Sequence, residues 1–443
     1  MALGRTHIPV VDHARCQSCG VCLRQCPAEF SPGFRTDPAT IRGYVYTYTG
    51  LPRAQQLPPC TAACPLGQDV REYVGLVHEG RYLQALLVVF RDNPLPGVLG
   101  AVCHRPCERA CLKGAWNRAV AIRELKRFLA QWAATRHEEV VEALSKRKSP
   151  PAGRRVGIVG GGPAGLGCAY ELLMGGCEVV VHDRLEKPGG MLRVGIPGFR
   201  LPQELLEGDI RVLEGLGMEF RGGVSLGEEL DLEHLREEFD AVVLALGTWR
   251  DRRLGVEGEG ARGCMGCLEF LKAVRGGQIN QVDVPVAVVG GGNAAVDAAR
   301  TALRLGAGEV AILYRRRRED MPADPEEVAQ AEKEGVKILE LVVPQGVVEE
   351  RGGVEGIKLV RARAGAVDAT GRPRPEPVAG SEFVHKAKMV VVAVGQEVEG
   401  PVPEEPEGGV FMAGDMVSGP STVAQAVASG RAVAREVLEW LGS

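Results

Sequence analysis

Nine of the chain's thirteen cysteines fall within its first 111 residues, at spacings that suit metal ligation better than disulfide pairing. Cys16, Cys19, Cys22 and Cys26 read C-x2-C-x2-C-x3-C-P, and Gly20 lets the backbone wrap closely around an inorganic core. Such a run holds [4Fe–4S] cubanes: the first three thiolates bind one cluster and the fourth commonly serves another, so Cys26 is expected to reach beyond its own run. Zinc favours paired C-x2-C hooks, and the third cysteine here is spaced too tightly for that. Cys60 and Cys64 in PPCTAACP, with Cys103, Cys107 and Cys111 in VCHRPCERACLKG, bring five further thiols to one region. Spacings of four keep side chains near one face of a helix or tight turn, while Pro65 and Pro106 prevent a long regular helix. These thiols suffice for up to two [4Fe–4S] clusters with one to spare, without settling which serves which. His104 sits among them and is read as a polar neighbour.

A second chemistry is written in glycines. Val156 to Val159 is an apolar strand, and Gly160, Gly162 and Gly165 follow it with G-x-G-x-x-G spacing across Pro163 and Ala164. That spacing brings bare backbone and a helix N-terminus to a pyrophosphate. A second strand, Glu178 to His182, delivers Asp183 and Arg184, where an acid can hold ribose hydroxyls. The loop KPGGMLRVGIPGFRLP, with Gly190, Met191 and Leu192, is shaped for the rest of a flavin dinucleotide. The pattern then recurs: Gly290, Gly292 and Ala295 follow a strand around Asn293 and Ala294, but the next strand ends in Arg315, Arg316, Arg317 and Arg318. Guanidinium can clamp a 2′-phosphate that an acid would repel, so the second unit is read as binding NADPH, with Arg315 and Arg316 as its anchors. Late in the chain Gly414 and Asp415 stand between an apolar strand and a helix starting near Ser421, an arrangement that returns to the first unit.

Positioning these groups requires several domains, as 443 residues exceed what one core normally serves. The expected division is a ferredoxin-like segment at 1–50, a helical iron–sulfur domain at 51–150, a discontinuous FAD domain at 151–280 and 395–443, and an inserted NADPH domain at 281–394. The fold class is α/β, with two Rossmann-like units. Glycine at 59 residues is roughly twice ordinary usage and is concentrated where backbone meets ligand. A net charge of −4 and the absence of a long basic face argue against nucleic acid. No run of 18 apolar residues is present and the leader has no apolar core, so no membrane span and a cytoplasmic location are expected.

With PCTAACP, CHRPCERAC, GGGPAGL, KPGGMLRVGIPGFRLP, GGGNAAVDAARTALRLGA, YRRRREDMPA and AGDMVSGPSTVAQA in order, residues 55–440 resemble the small subunit of NADPH-dependent glutamate synthase. Related flavoprotein subunits and the front half of dihydropyrimidine dehydrogenase share the architecture. The resemblance implies that Gly160, Gly162, Gly165, Asp183, Gly190, Met191, Leu192, Gly414, Asp415 and Thr422 surround FAD. It implies that Gly290, Gly292, Asn293, Ala294, Asp297, Arg315 and Arg316 surround NADPH. The implied activity is oxidation of NADPH at FAD, with electrons leaving through [4Fe–4S] clusters to a partner subunit or ferredoxin in a hetero-oligomeric complex. Two features depart from the family: Leu57 and Pro58 stand where relatives commonly carry a C-x2-C, and Cys264-Met-Gly-Cys267 has the spacing of a redox dithiol. A thiol–disulfide reductase is therefore the alternative reading, although GCMGCLEFLKAVRGG reads as the opening of an amphipathic helix.

Overall fold

A computed structural model of the chain describes residues 57–115, 118–368, 371–400 and 408–442, with a short strand pair at Ala2–Leu3 and Pro9–Val10. Cys16, Cys19, Cys22 and Cys26 lie outside the described residues.

The first domain is helical: α1 (Pro59–Ala62), α2 (Val70–His78), α3 (Tyr82–Asp92), α4 (Pro96–Val102), α5 (Pro106–Arg109), α6 (Ile122–Ala133) and α7 (His137–Ser145). Proline at or next to the first position of α1, α4 and α5 sets each start, where a missing N–H costs nothing. The apolar faces of α3 and α4 are buried almost whole, from Ala85 through Leu99. No single helix among the described residues is long and apolar enough to cross a membrane.

The chain then runs β1 (Arg155–Val159), α8 (Pro163–Met174), β2 (Glu178–Asp183), α9 (Met191–Val194), α10 (Gln203–Gly215), β3 (Met218–Gly222), α11 (Leu232–Glu238), β4 (Ala241–Leu244) and β5 (Arg250–Asp251). It continues through β6 (Cys264–Gly266), α12 (Cys267–Arg275), β7 (Val286–Val289), α13 (Asn293–Arg304), β8 (Val310–Tyr314), α14 (Pro325–Glu334) and β9 (Lys337–Glu340). A long meander follows, β10 (Val342–Glu350), β11 (Gly353–Val367) and β12 (Pro373–Lys386), then β13 (Met389–Val392) and β14 (Gln396–Glu397). The chain closes with β15 (Val410–Met412), α15 (Asp415–Ser418) and α16 (Val423–Gly442).

Two parallel five-stranded sheets result, in the orders β15-β4-β1-β2-β3 and β9-β8-β7-β13-β6. Buried Val and Ile runs such as Val156–Val159 and Val286–Val289 are what strands covered on both faces require. The first sheet takes its edge strand from the far end of the chain, so the first unit is discontinuous and the second is inserted into it. The crossing is the ribbon of β5 with β14, where Arg250 pairs with Glu397 and Asp251 with Gln396. The inserted unit therefore begins earlier than residue 281, because β6 pairs in parallel with β13 and α12 packs on the second core. The meander β10-β11-β12 is antiparallel and has no counterpart in the expected division.

The first unit is bound tightly to the helical domain. Asp209 of α10, 4% exposed, accepts the Gly97 and Val98 N–H groups at 3.0 and 2.8 Å, capping the otherwise open start of α4. Arg431 of α16, also buried, pairs with Glu171 of α8 at 2.8 Å and donates to the carbonyls of Arg91 and Asp92 at the end of α3. Its charge suits a helix C-terminus, and removing one partner of such a buried pair costs about 3–5 kcal/mol.

Candidate functional site

Each sheet opens where its strand order reverses, and the first glycine of each fingerprint lies at that opening. A Cβ on Gly160 would meet the Ala245 carbonyl oxygen at 2.2 Å, and one on Gly290 would meet that of Ala393 at 2.2 Å. Both glycines have positive φ, 112° and 146°. The second glycines, Gly162 and Gly292, precede α8 and α13 as N-caps that offer no side chain, so the first N–H groups of both helices are unclaimed. A Cβ on Gly292 would meet nothing within 4 Å, and one on Gly162 only Gly190 at 4.0 Å. Bare helix starts beside open space are the cradle a pyrophosphate needs.

One cavity of about 260 Å³ joins the two units. Gly160, Gly162, Pro163, Ala164, Asp183, Gly190, Met191, Leu192, Asp415 and Thr422 line it from the first, and Asn293, Ala294 and Asp297 from the second. Gly414, at φ 77°, presses against Ala164 just behind Asp415. Thr422 also accepts the Gln425 N–H while Gln425 accepts that of Thr422, a reciprocal cap on α16. Asp183 accepts the N–H groups of Gly161 at 2.6 Å and Leu185 at 2.7 Å, and burial pushes its carboxyl up while these bonds oppose that. Arg184 turns into a smaller neighbouring cavity, paired with Glu399 at 2.7 Å and stacked on Trp249.

Several expected contacts fall elsewhere. Gly165 and Ala295 do not line the cavity: a Cβ on Gly165 would lie 1.8 Å from the Gly160 oxygen, and Ala295 is packed in the second core. Both keep a helix close to its strand. Asp297 faces the cavity, but Arg200 holds its carboxylate at 2.8 and 2.9 Å, and burial pushes it up to about 6.

Arg316 departs most from expectation. It is 5% exposed, its Nη2 pairs with Asp368 at 2.6 Å and its Nε donates to the Pro373 carbonyl, so it anchors the turn between β11 and β12. Arg317 and Arg318 pair with Glu319 and Glu332. Arg315 is exposed, and no ion pair engages it among the described residues.

The cavity also reaches the cysteine domain through Val102 and His104, which flank Cys103. Burial pushes His104 down, towards the neutral imidazole. Cys60, Cys64, Cys103 and Cys107 pack against one core, and all four lie in electrostatic reach of the buried Tyr73. Cys111 in turn reaches Cys60. Burial pushes the Cys107 thiol up to about 12, and Lys126 is the first group that opposes it. Among the described residues, Thr61 Oγ1, Gln68 Nε2 and Tyr73 Oη of the same domain are buried without hydrogen-bond partners, and Tyr73 lies near the thiols. Donors stranded around a group of thiols fit an inorganic cluster whose sulfurs accept hydrogen bonds. Trp249 carries no motif, Val102 and Arg200 lie in quoted runs without being singled out, and Cys267, expected only as half of a dithiol, also lines the cavity.

Cys267 opens α12, fully buried, and its Sγ donates to the Ala294 carbonyl at 3.3 Å. Burial pushes Cys264 up to about 11 and Cys267 further. Reactive dithiols need the opposite shift.

Residues 54–138 match the family described as "dihydropyrimidine dehydrogenase domain II, 4Fe-4S cluster", and residues 154–430 match "pyridine nucleotide-disulphide oxidoreductase". Fold and matches place the chain among the pyridine nucleotide-disulphide oxidoreductases, joined to a 4Fe-4S cluster domain. The chain is 36% identical over 422 residues to the NADP(+)-dependent formate dehydrogenase subunit beta of Moorella thermoacetica, covering 86% of this chain and 60% of that one. It is 36% identical over 426 residues to the glutamate synthase (NADPH) small chain of Halomonas elongata, covering 87% and 88%. The chain belongs to the family of the glutamate synthase small chain. Among solved structures, FprA from Mycobacterium tuberculosis in complex with NADPH shares the fold at TM-score 0.57 and 21% identity, over 66% of this chain and 85% of that one.

Proposed function

We propose that this chain is the electron-input subunit of a larger assembly, taking electrons from NADPH and handing them through the cysteine domain to a partner subunit or ferredoxin. The observation that carries this is one cavity lined by the first fingerprint, by Asn293, Ala294 and Asp297 beside the second, and by Val102 and His104 at the cysteine loop. FAD held there would supply hydride acceptance and one-electron release, the form in which [4Fe–4S] clusters would carry electrons onward.

The residues divide the work. The open start of α8 binds the FAD pyrophosphate, Asp183 takes ribose hydroxyls, and the start of α16 with Asp415 and Thr422 faces the remainder. The open start of α13 binds the pyrophosphate of NADPH and Arg315 its 2′-phosphate, with Arg316 holding the strand end in place. Asn293, whose Oδ1 accepts the Asp324 N–H at 2.9 Å, shapes the mouth between the units. No side-chain acid, base or nucleophile is needed. Cys60, Cys64, Cys103, Cys107 and Cys111 supply ligands in the helical domain, and Cys16, Cys19 and Cys22 hold a second cubane that meets the acceptor, with Cys26 reaching beyond its own run. The chain spans 60% of the formate dehydrogenase relative, and the two relatives' names point to different assemblies, so the acceptor follows from the partner subunit. Residence in the cytoplasm belongs to the same proposal.

Replacing Cys16, Cys19 and Cys22 together with serine tests it. NADPH should still bleach the flavin and reduce small dyes, while reduction of ferredoxin or a partner subunit collapses. A flavin-loaded variant with undiminished delivery to its protein acceptor would sink the relay.

A further inference from the structure

We infer that Lys126 is a fixed positive charge built into the helical domain to raise the reduction potential of the [4Fe–4S] cluster that its thiols hold. The inference rests on the cluster-binding reading and adds to it a residue outside every cysteine motif.

Lysine is almost never fully buried unless paired. Lys126 is 4% exposed, and among the described residues its Nζ hydrogen-bonds only the neutral amide of Gln68, Oε1 at 3.4 Å. The acid that feels its charge, Asp209, already has both oxygens taken by Gly97 and Val98. Desolvating an ammonium costs several kcal/mol, and among the described residues no carboxylate pairs directly with Lys126, so the site favours a further negative charge beside it.

Position says where that charge lies. Glu108, next to Cys107, accepts the Arg123 N–H at 2.8 Å, and Arg123 reaches back to the Cys103 carbonyl at 3.5 Å. The first turn of α6 is thereby pinned to the cysteine loop, and Lys126 stands one turn further along. Lys126 can only donate, so Gln68 must offer it Oε1. The Gln68 Nε2, left without a partner, and Tyr73 Oη are then free to donate to sulfur. Accepting one electron from NADPH-reduced flavin makes a cluster more negative by one charge. A buried cation nearby favours that state, because interior charges are little screened.

The test is a redox titration of the full holo chain, followed by the cluster's electron paramagnetic resonance signal, on wild type, Lys126→Met and Lys126→Arg. Lys126→Met should keep its FAD and iron but reduce its cluster with an equilibrium constant about tenfold less favourable, about 59 mV for one electron. Lys126→Arg should recover most of that. An unchanged potential in Lys126→Met, or equal shifts in both variants, overturns the inference. Loss of iron from Lys126→Met alone supports it, and loss from both overturns it. A wild-type chain without iron would overturn the cluster reading as well, so the two failures are told apart by the wild-type iron content.

Discussion

The two dinucleotide units repeat one backbone and diverge in side chains. The order of four of the five strands, the positive-φ first glycine, the carbonyl it abuts and the uncapped helix start are the same in both, while the fifth strand comes last in the first unit and first in the second. The third fingerprint position is glycine in one and alanine in the other, and the second strand ends in Asp183 in one and Arg315 in the other. On the proposed function, what is shared serves the pyrophosphate, and what differs serves the parts by which FAD and NADPH differ. Their attachment differs too: Asp209 and Arg431 fasten the first unit to the helical domain, while the second meets that domain through Arg105, ion-paired to Asp324 and Glu326.

The sharpest way to break the likeness is at the third position. Gly165→Ala would force a methyl group to 1.8 Å from the Gly160 oxygen. Overpacking of that kind costs about 3 kcal/mol or more, so a marked fall in thermal midpoint and loss of FAD are expected. Gly292→Ala, at φ −85° and with open space around its Cβ, should leave stability within about 0.5 kcal/mol and weaken only NADPH binding. Equal destabilisation by the two would deny the difference in packing.

Arg315→Ala should raise the KM for NADPH by about 10–150-fold, the equivalent of a charged hydrogen bond of about 1.5–3 kcal/mol, and leave NADH nearly unaffected. Arg316→Ala should instead impair both nucleotides and lower the unfolding midpoint, since it removes the buried ion pair with Asp368 and the donor to the Pro373 carbonyl. Steady-state kinetics with both nucleotides separates the roles, and matching NADPH-specific losses would restore Arg316 to the phosphate site.

The attachment has a pH signature. Burial raises the Asp209 carboxyl to about 7 against about 3.9 in an unfolded chain. A raised value means stability is fullest below the unfolded value and declines as pH rises towards 7. Urea midpoints should therefore fall between pH 5 and 8, and Asp209→Asn should flatten that slope. An unaltered slope in the variant would place the titration elsewhere.

The smallest effect is expected at the dithiol spacing. Cys264→Ser with Cys267→Ser should keep turnover within about twofold, because a serine hydroxyl can still donate to the Ala294 carbonyl. Loss of turnover with flavin retained would revive the thiol–disulfide reading.

The glycines, strands and cysteine spacings were legible residue by residue because each answers a local demand: positive φ, a bare helix start, a covered strand, a thiol at fixed separation. Two Rossmann-like units and an iron–sulfur region follow from such demands alone. The fate of Arg316 was not legible, since Asp368, which claims it, comes from a hairpin that no motif marks. Nor was the start of the inserted unit, because Cys264–Gly266 is too short to announce a strand and becomes one only by pairing with Met389–Val392. Whether a charged side chain meets ligand, lattice of neighbours or solvent depends on contacts made across long stretches of chain. Lys126 shows the same division: its sequence neighbours mark an ordinary amphipathic helix, and only the packing of α6 against α4, α3 and neighbouring elements removes it from water.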